Sequence, residues 1–154
     1  MTMSMSLAVL RRGYRAAADR AVAHLGVSQA LAWPMLMVGR LGPGVRQGAV
    51  ADALAIEGSS LVRLIDQLVH LGLVLRHEDA TDRRARTLHL TEQGAAIVAR
   101  IEAALHEFRE RLYRDISDED IATCLRVFAK LEDELGVATP DMARLCPGAS
   151  AEDA

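Results

Sequence analysis

Aromatic side chains are scarce in this sequence, with one Trp, two Tyr and two Phe among 154 residues. Because 51% of the chain is still hydrophobic, its core must be assembled from Ala, Leu, Val and Met, residues that mostly favour helices. Lysine is rarer: Lys130 is the only one. The basic groups are therefore almost all arginine, whose planar guanidinium makes bidentate contacts to phosphate or guanine. Two cysteines, Cys124 and Cys146, form neither a zinc spacing nor a disulfide framework, so a reducing cytoplasm is the expected home. No stretch of about 20 uninterrupted apolar residues occurs, and the opening MTMSMSLAVLRRGY lacks the basic-then-apolar order of a leader. Neither secretion nor a membrane span is expected. The net charge of −3 argues against a protein that coats nucleic acid indiscriminately, so any DNA contact must be local. No internal repeat or low-complexity block stands out, and the length suits one domain with a sizeable core.

The informative stretch runs from Glu57 to Gly94. Ser59 and Ser60 are candidate N-caps, and Leu61, Leu64, Ile65 and Leu68 recur at helical spacing, leaving Ser59, Ser60, Val62, Arg63 and Gln67 outward. Gly72 suits a left-handed stop. Leu73 to His77 then reads as a short strand, residues 78–82 as a turn, and Arg86 to Leu90 as the returning strand, with Thr91 placed to cap the next helix. A helix of groove width exposing serines and an arginine, followed by a hairpin carrying Arg83, Arg84 and Arg86, fits duplex DNA. The helix matches a major groove, and the hairpin arginines suit the narrower minor groove.

The runs SSLVRLIDQLVHLGLVLR and DATDRRARTLHLTEQG resemble the signature of the multiple-antibiotic-resistance regulator (MarR) family, winged helix-turn-helix repressors. Its elements occur here in order: a glycine closing the recognition helix, Asp82-Arg83-Arg84 at the wing tip, and Leu90-Thr91-Glu92-Gln93-Gly94 after it. The resemblance implies that Asp82 shapes the wing by pairing with Arg84 while a wing arginine enters the minor groove. Val62 departs from the family pattern, standing where a polar group is common, and Val69 and Leu71 also replace polar residues.

Upstream, Leu7, Leu10, Tyr14, Ala17, Ala21 and Leu25 predict a first helix with one apolar stripe, and Gly26 ends it. Ser28 is placed to cap a second helix containing Trp33, Met37 and Leu41, which Pro34 is expected to kink. After the break at residues 42–44 comes a short helix from Gln47 to Leu54, with Val50, Ala53 and Leu54 inward. Residues 55–57 make the helix-turn-helix turn. Downstream, Ile97, Ile101, Leu105, Phe108 and Leu112 stripe a long helix to about Arg114. Ser117 opens another, striped by Ile121, Leu125, Phe128, Leu131 and Leu135, with acidic residues in its first turn.

The expected architecture is mainly α with a small β-hairpin wing: a winged helix-turn-helix over residues 28–90, a helical dimerisation region over 1–25 and 91–136, and a tail over 137–154 in which Met142 and Leu145 could dock. The resemblance implies an intertwined homodimer on an inverted repeat. The alternative for the two long helices is that their stripes pack back within one chain. The resemblance also implies release of DNA by a small phenolic, aromatic carboxylate or thioester effector, for which the matching residues are Arg11, Tyr14, Arg15, His24, Trp33 and Met37. Those apolar residues also suit a core, and the arginines a solvated surface.

Competing chemistries are weaker. The first helix carries no cysteine for peroxide sensing, and Cys124 beside Leu125 is expected as an inert buried thiol. The five histidines do not cluster at ligand spacing on one helix, although His77 and His89 could face each other across the hairpin. No metal or cofactor is expected. Ser59, Ser60, Asp66 and His70 include hydrolase residue types but crowd one short helix without a nucleophile elbow, so an enzyme is not expected. A winged helix used for protein contact is the main alternative, and salt-dependent DNA affinity discriminates the two.

Overall fold

The computed structural model describes residues 2–79, 81–82 and 85–137. Arg83, Arg84, Met142, Leu145 and Cys146 fall outside the described residues. The chain divides into two compact units, Met1–Phe108 and Arg109–Ala154.

In the first unit, helix α1 spans Met3–Val22 and a 3-10 turn, Ala23–Leu25, continues it to Gly26, whose φ of 78° is left-handed. Its buried positions are Ala18, Val22 and Leu25, while Leu10 is 66% exposed and Tyr14 is also exposed. The expected stripe therefore holds only toward the C-terminal end. Apolar periodicity marks a face of a helix, and among the described residues the front half of that face is only partly covered, with Leu7 half-buried and Leu10 exposed.

Helix α2 (Gln29–Leu41) is the centre of the core. Ser28 occupies the N-cap position, its carbonyl accepting from Leu31 and Ala32, but its side chain caps nothing. Helical assignment continues through the buried Pro34. Met35, Leu36 and Val38 are essentially inaccessible, packed with Val50, Leu61, Ile65 and Leu68 from the next two helices. Each such side chain contributes roughly 1.5–3 kcal/mol by leaving water.

Strand β1 (Val45–Arg46), absent from the expected hairpin, precedes helix α3, which spans Gln47–Leu54 as expected. Ala55 reverses the chain with a left-handed φ of 52°. Helix α4 covers Gly58–His70 with Glu57 at its N-cap, so Ser59 and Ser60 lie inside the first turn and cap nothing. The helix ends in a Schellman arrangement: the amide of Leu73 donates to the carbonyl of Leu68, and that of Gly72, at φ 69°, to Val69. Strands β2 (Val74–Glu78) and β3 (Arg86–Leu90) follow. The sheet is antiparallel in the order β1-β3-β2, with Val45 opposite Leu88 and Val74 opposite Leu90.

Helix α5 (Glu92–Tyr113) starts where the Leu-Thr-x-x-Gly signature places it, and Ile101, Leu105 and Phe108 are buried. Thr91 Oγ1 accepts from the amide of Gly94 at 3.0 Å and donates to the carbonyl of Gly72 at 2.8 Å, while its amide donates to Leu73. Gly94 is glycine for steric reasons, because a Cβ there would run into the carbonyl oxygen of Leu73. Farther along, Arg40 and Glu102 join α2 to α5 through two hydrogen bonds of 2.6 and 2.8 Å.

The second unit holds the end of α5 and helix α6 (Asp118–Leu135). Ser117 caps α6 as expected, its Oγ accepting from the amide of Asp120. The expected stripe does not become a core: no residue of α6 is buried, and Leu125 and Leu135 are 61% and 73% exposed. Cys124 is exposed as well, correcting its reading as a buried thiol, and Leu112 is likewise uncovered. The stripe is present but is not buried by the described residues of this unit. Among the described residues no single helix is long and apolar enough to cross a membrane.

Candidate nucleic-acid interface

Helix α4 is strongly two-faced. Leu61, Ile65 and Leu68 are fully buried, whereas Ser59, Ser60, Val62, Arg63, Asp66, Gln67 and His70 are all exposed. Ser59, Arg63 and Gln67 fall four residues apart, so they form one outward stripe, with Ser60 and Val62 beside it. The four residues that sequence assigns to the groove face are thus brought onto one free surface.

Two contacts fix that helix and the sheet. Arg76 on β2 pairs with Asp66 at 2.6 Å, placing a cation against the only carboxylate within α4. Its Nε is buried without an acceptor among the described residues. Across the hairpin, Arg86 donates to Glu78 at 3.0 Å, opposite it in register. Arg86, assigned to the wing tip, therefore lies at the start of β3 with its charge engaged.

The turn itself is shaped by a residue that the sequence reading missed. Asp79 Oδ1 accepts from the amide and hydroxyl of Thr81 at 2.8 and 2.6 Å and from the amide of Asp82 at 3.1 Å. Its Oδ2 accepts from Arg46 Nε at 2.8 Å, and Arg46 also reaches the Thr81 hydroxyl. The Arg46 hydrogen bond, followed by those from Thr81, holds the Asp79 carboxyl well below the usual carboxylate range. The Asp-x-Thr spacing of an Asx-type turn was the available signal, but its partner Arg46 lies 33 residues earlier. Asp82, assigned the wing-shaping role, contributes its carbonyl to the amide of Ala85.

On the outer sheet face, His77 and His89 do face each other, with ring centroids 4.9 Å apart. Among the described residues no three metal-ligating side chains come together.

The candidate effector residues separate into different settings. Arg15 lies over the Trp33 ring at 4.1 Å, and both engage Asp19: Trp33 Nε1 donates to it at 2.7 Å and Arg15 approaches it at 3.3 Å. Asp19 was missed because, at i+4 from Arg15, it reads as an ordinary helix-surface ion pair. Tyr14 packs edge-to-face on Phe108, centroids 5.3 Å apart. Met37 is a core residue, and Arg11 and His24 are exposed with no hydrogen bond or ion pair to the Trp33 cluster.

This arrangement matches known proteins along most of its length. A family model described as MarR family matches residues 21–85. The crystal structure of transcriptional regulator PA3341 is 33% identical, with a TM-score of 0.80 over 88% of this chain and 98% of that one. A MarR transcriptional regulator from Methanosarcina mazei Go1 is 24% identical, with a TM-score of 0.71 over 86% and 97%. A mutant MarR from E. coli complexed with operator DNA is 19% identical, with a TM-score of 0.72 over 84% and 92%. With its two-faced helix, three-stranded wing and close relative in PA3341, the chain belongs to the MarR family, whose members are transcription regulators and not enzymes.

Proposed function

We propose that this chain is a homodimeric repressor that reads an inverted repeat in duplex DNA and lets go of it when a small aromatic or phenolic effector binds. The observation that carries the DNA-reading part is the outward face of α4, where Ser59, Ser60, Arg63 and Gln67 are exposed while the opposite face is buried. Such a face enters a major groove, serines and glutamine reaching base edges or phosphates and arginine reaching guanine. Arg83, Arg84 and Arg86 serve the flanking minor groove, and Asp82 helps to shape the loop that carries them. The likeness to a MarR solved with operator DNA supports the same docking.

In this reading residues 28–90 read DNA, residues 1–25 and 91–136 dimerise, and residues 137–154 form a tail. The uncovered Leu112, Leu125, Phe128 and Leu135 favour a second copy as the cover for these faces. A two-fold dimer sets its recognition helices about 34–36 Å apart, one duplex turn. For the effector, the Arg15–Trp33 pair is the best placed of the six candidates, offering a cation and an aromatic wall to a carboxylate. A cytoplasmic location follows from the DNA-binding role.

Fluorescence anisotropy against the DNA upstream of its own gene and against an unrelated duplex, over a series of salt concentrations, tests the reading. Preferential binding whose log-log salt slope is about −0.9 per phosphate contacted supports it. Equal or absent binding of both duplexes at low salt overturns it in favour of a winged helix that contacts protein. Arg84→Ala should weaken binding to both duplexes, whereas Arg63→Ala should cost about 1–3 kcal/mol and relax preference at one base pair.

A further inference from the structure

Val62 is a β-branched apolar side chain left 39% exposed on the reading face of α4. The core does not need it, because Leu61, Ile65 and Leu68 already fill the inward face and are fully buried. Its helical neighbours are Ser59, three residues before it, and Asp66, four after it, both exposed. Asp66 is already committed to Arg76 at 2.6 Å, so the carboxylate beside Val62 is held by the wing and not directed at a base. Val62 also stands in the first half of the helix, the part of a recognition helix that touches base edges. Val69, equally exposed, lies in the last turn and lacks that placement.

An isopropyl group neither donates nor accepts a hydrogen bond. In the major groove the chemistry it meets favourably is the C5-methyl of thymine. We propose that Val62 is a specificity-determining residue that packs on a thymine methyl in each operator half-site, setting a preference for T over C and over unmethylated uracil at that position. This inference rests on the DNA-reading function proposed above and adds one base position to it.

The test uses a duplex selected by the wild-type protein from a randomised pool. That site is resynthesised with each thymine replaced in turn by deoxyuridine, symmetrically in both half-sites, which removes one methyl and leaves every hydrogen-bonding group in place. At one thymine position the wild type should lose about fourfold in affinity per half-site, the factor expected for one methyl-sized group leaving water. Val62→Ala, which keeps the helix because alanine is the better helix former, should lose a similar factor on the thymine duplex and show a much smaller deoxyuridine penalty there, since its shorter side chain reaches less of the methyl. Wild-type tolerance of deoxyuridine at every position overturns the proposal, as does a deoxyuridine penalty that persists undiminished in Val62→Ala. A wild-type protein that selects no duplex at all instead removes the DNA-reading function and, with it, this contact.

Discussion

Asp79 is the hub of the wing turn, taking three hydrogen bonds on one oxygen and Arg46 on the other. Its carboxyl is held below the usual range by Arg46 first and Thr81 second, so its contribution is present in full above the unfolded aspartate value, about 3.9, and declines as pH falls from there through the lower folded value. The amide resonance of Thr81 should therefore keep its folded position at pH 4 and titrate only below it, and in Asp79→Asn that titration should vanish; a midpoint near 3.9 would contradict the arrangement. Glycine offers a matched pair at the same scale. Gly94→Ala forces a methyl into the Leu73 carbonyl and should cost about 1–3 kcal/mol in denaturant unfolding, whereas Gly48→Ala, in α3 with open space around it, should be neutral or stabilise by about 0.5–1 kcal/mol. Thr91 and Gly94 were legible beforehand because their roles are local and signature-like. Asp79 and Arg76 were not, since Arg46 and Asp66 come from segments that only the fold brings near, and Asp19 was not, since its pairing with Arg15 looks like an ordinary helix-surface ion pair while its contact to Trp33 comes from the next helix.

At the scale of elements, boundaries set by local chemistry came through and those set by pairing did not. Helix α3 and strand β3 match their expected limits, and Gly72 stops α4 as expected. Strand β1 went unseen because two residues, Val45 and Arg46, carry no alternation to detect; they become a strand only by finding Leu88 and Thr87. The two serines were misplaced as caps because any serine before an apolar run looks like one, and Glu57 holds that position instead. The Asp66–Arg76 pair gives a prediction proper to α4 as a unit. Arg76→Met leaves a lone carboxylate on the proposed groove face and should weaken duplex binding. Adding Asp66→Asn to it should restore much of the loss; measured affinities that simply add would show that the two side chains act separately.

For the molecule as a whole, the stripe on α6 was read correctly as apolar, and what covers it could not be read, because periodicity carries no information about the identity of a partner. Leu125, Phe128 and Leu135 remain exposed in the single chain, as do Leu112, Tyr113 and Ile116 in the same unit. If a second copy covers them, Leu125→Glu combined with Phe128→Glu should give a monomer in analytical ultracentrifugation with its helical content retained, and its operator affinity should fall to that of one half-site. A variant that sediments like the wild type would place the dimer contact elsewhere.

The hydroxyl of Thr91 ties the last turn after α4 to the first turn of α5, and Gly94 seats α5 directly on the backbone that enters β2. Mechanically this is a welded corner. On the DNA-reading function proposed above, α4, the wing and the first turns of α5 would turn as one piece, so a small tilt imposed at the start of α5 would reappear as an angular swing of a helix about 20 Å long. In that reading the joint would act as gearing, converting a slight displacement at one end into a change of pitch in the groove, with no need for the reading head itself to soften.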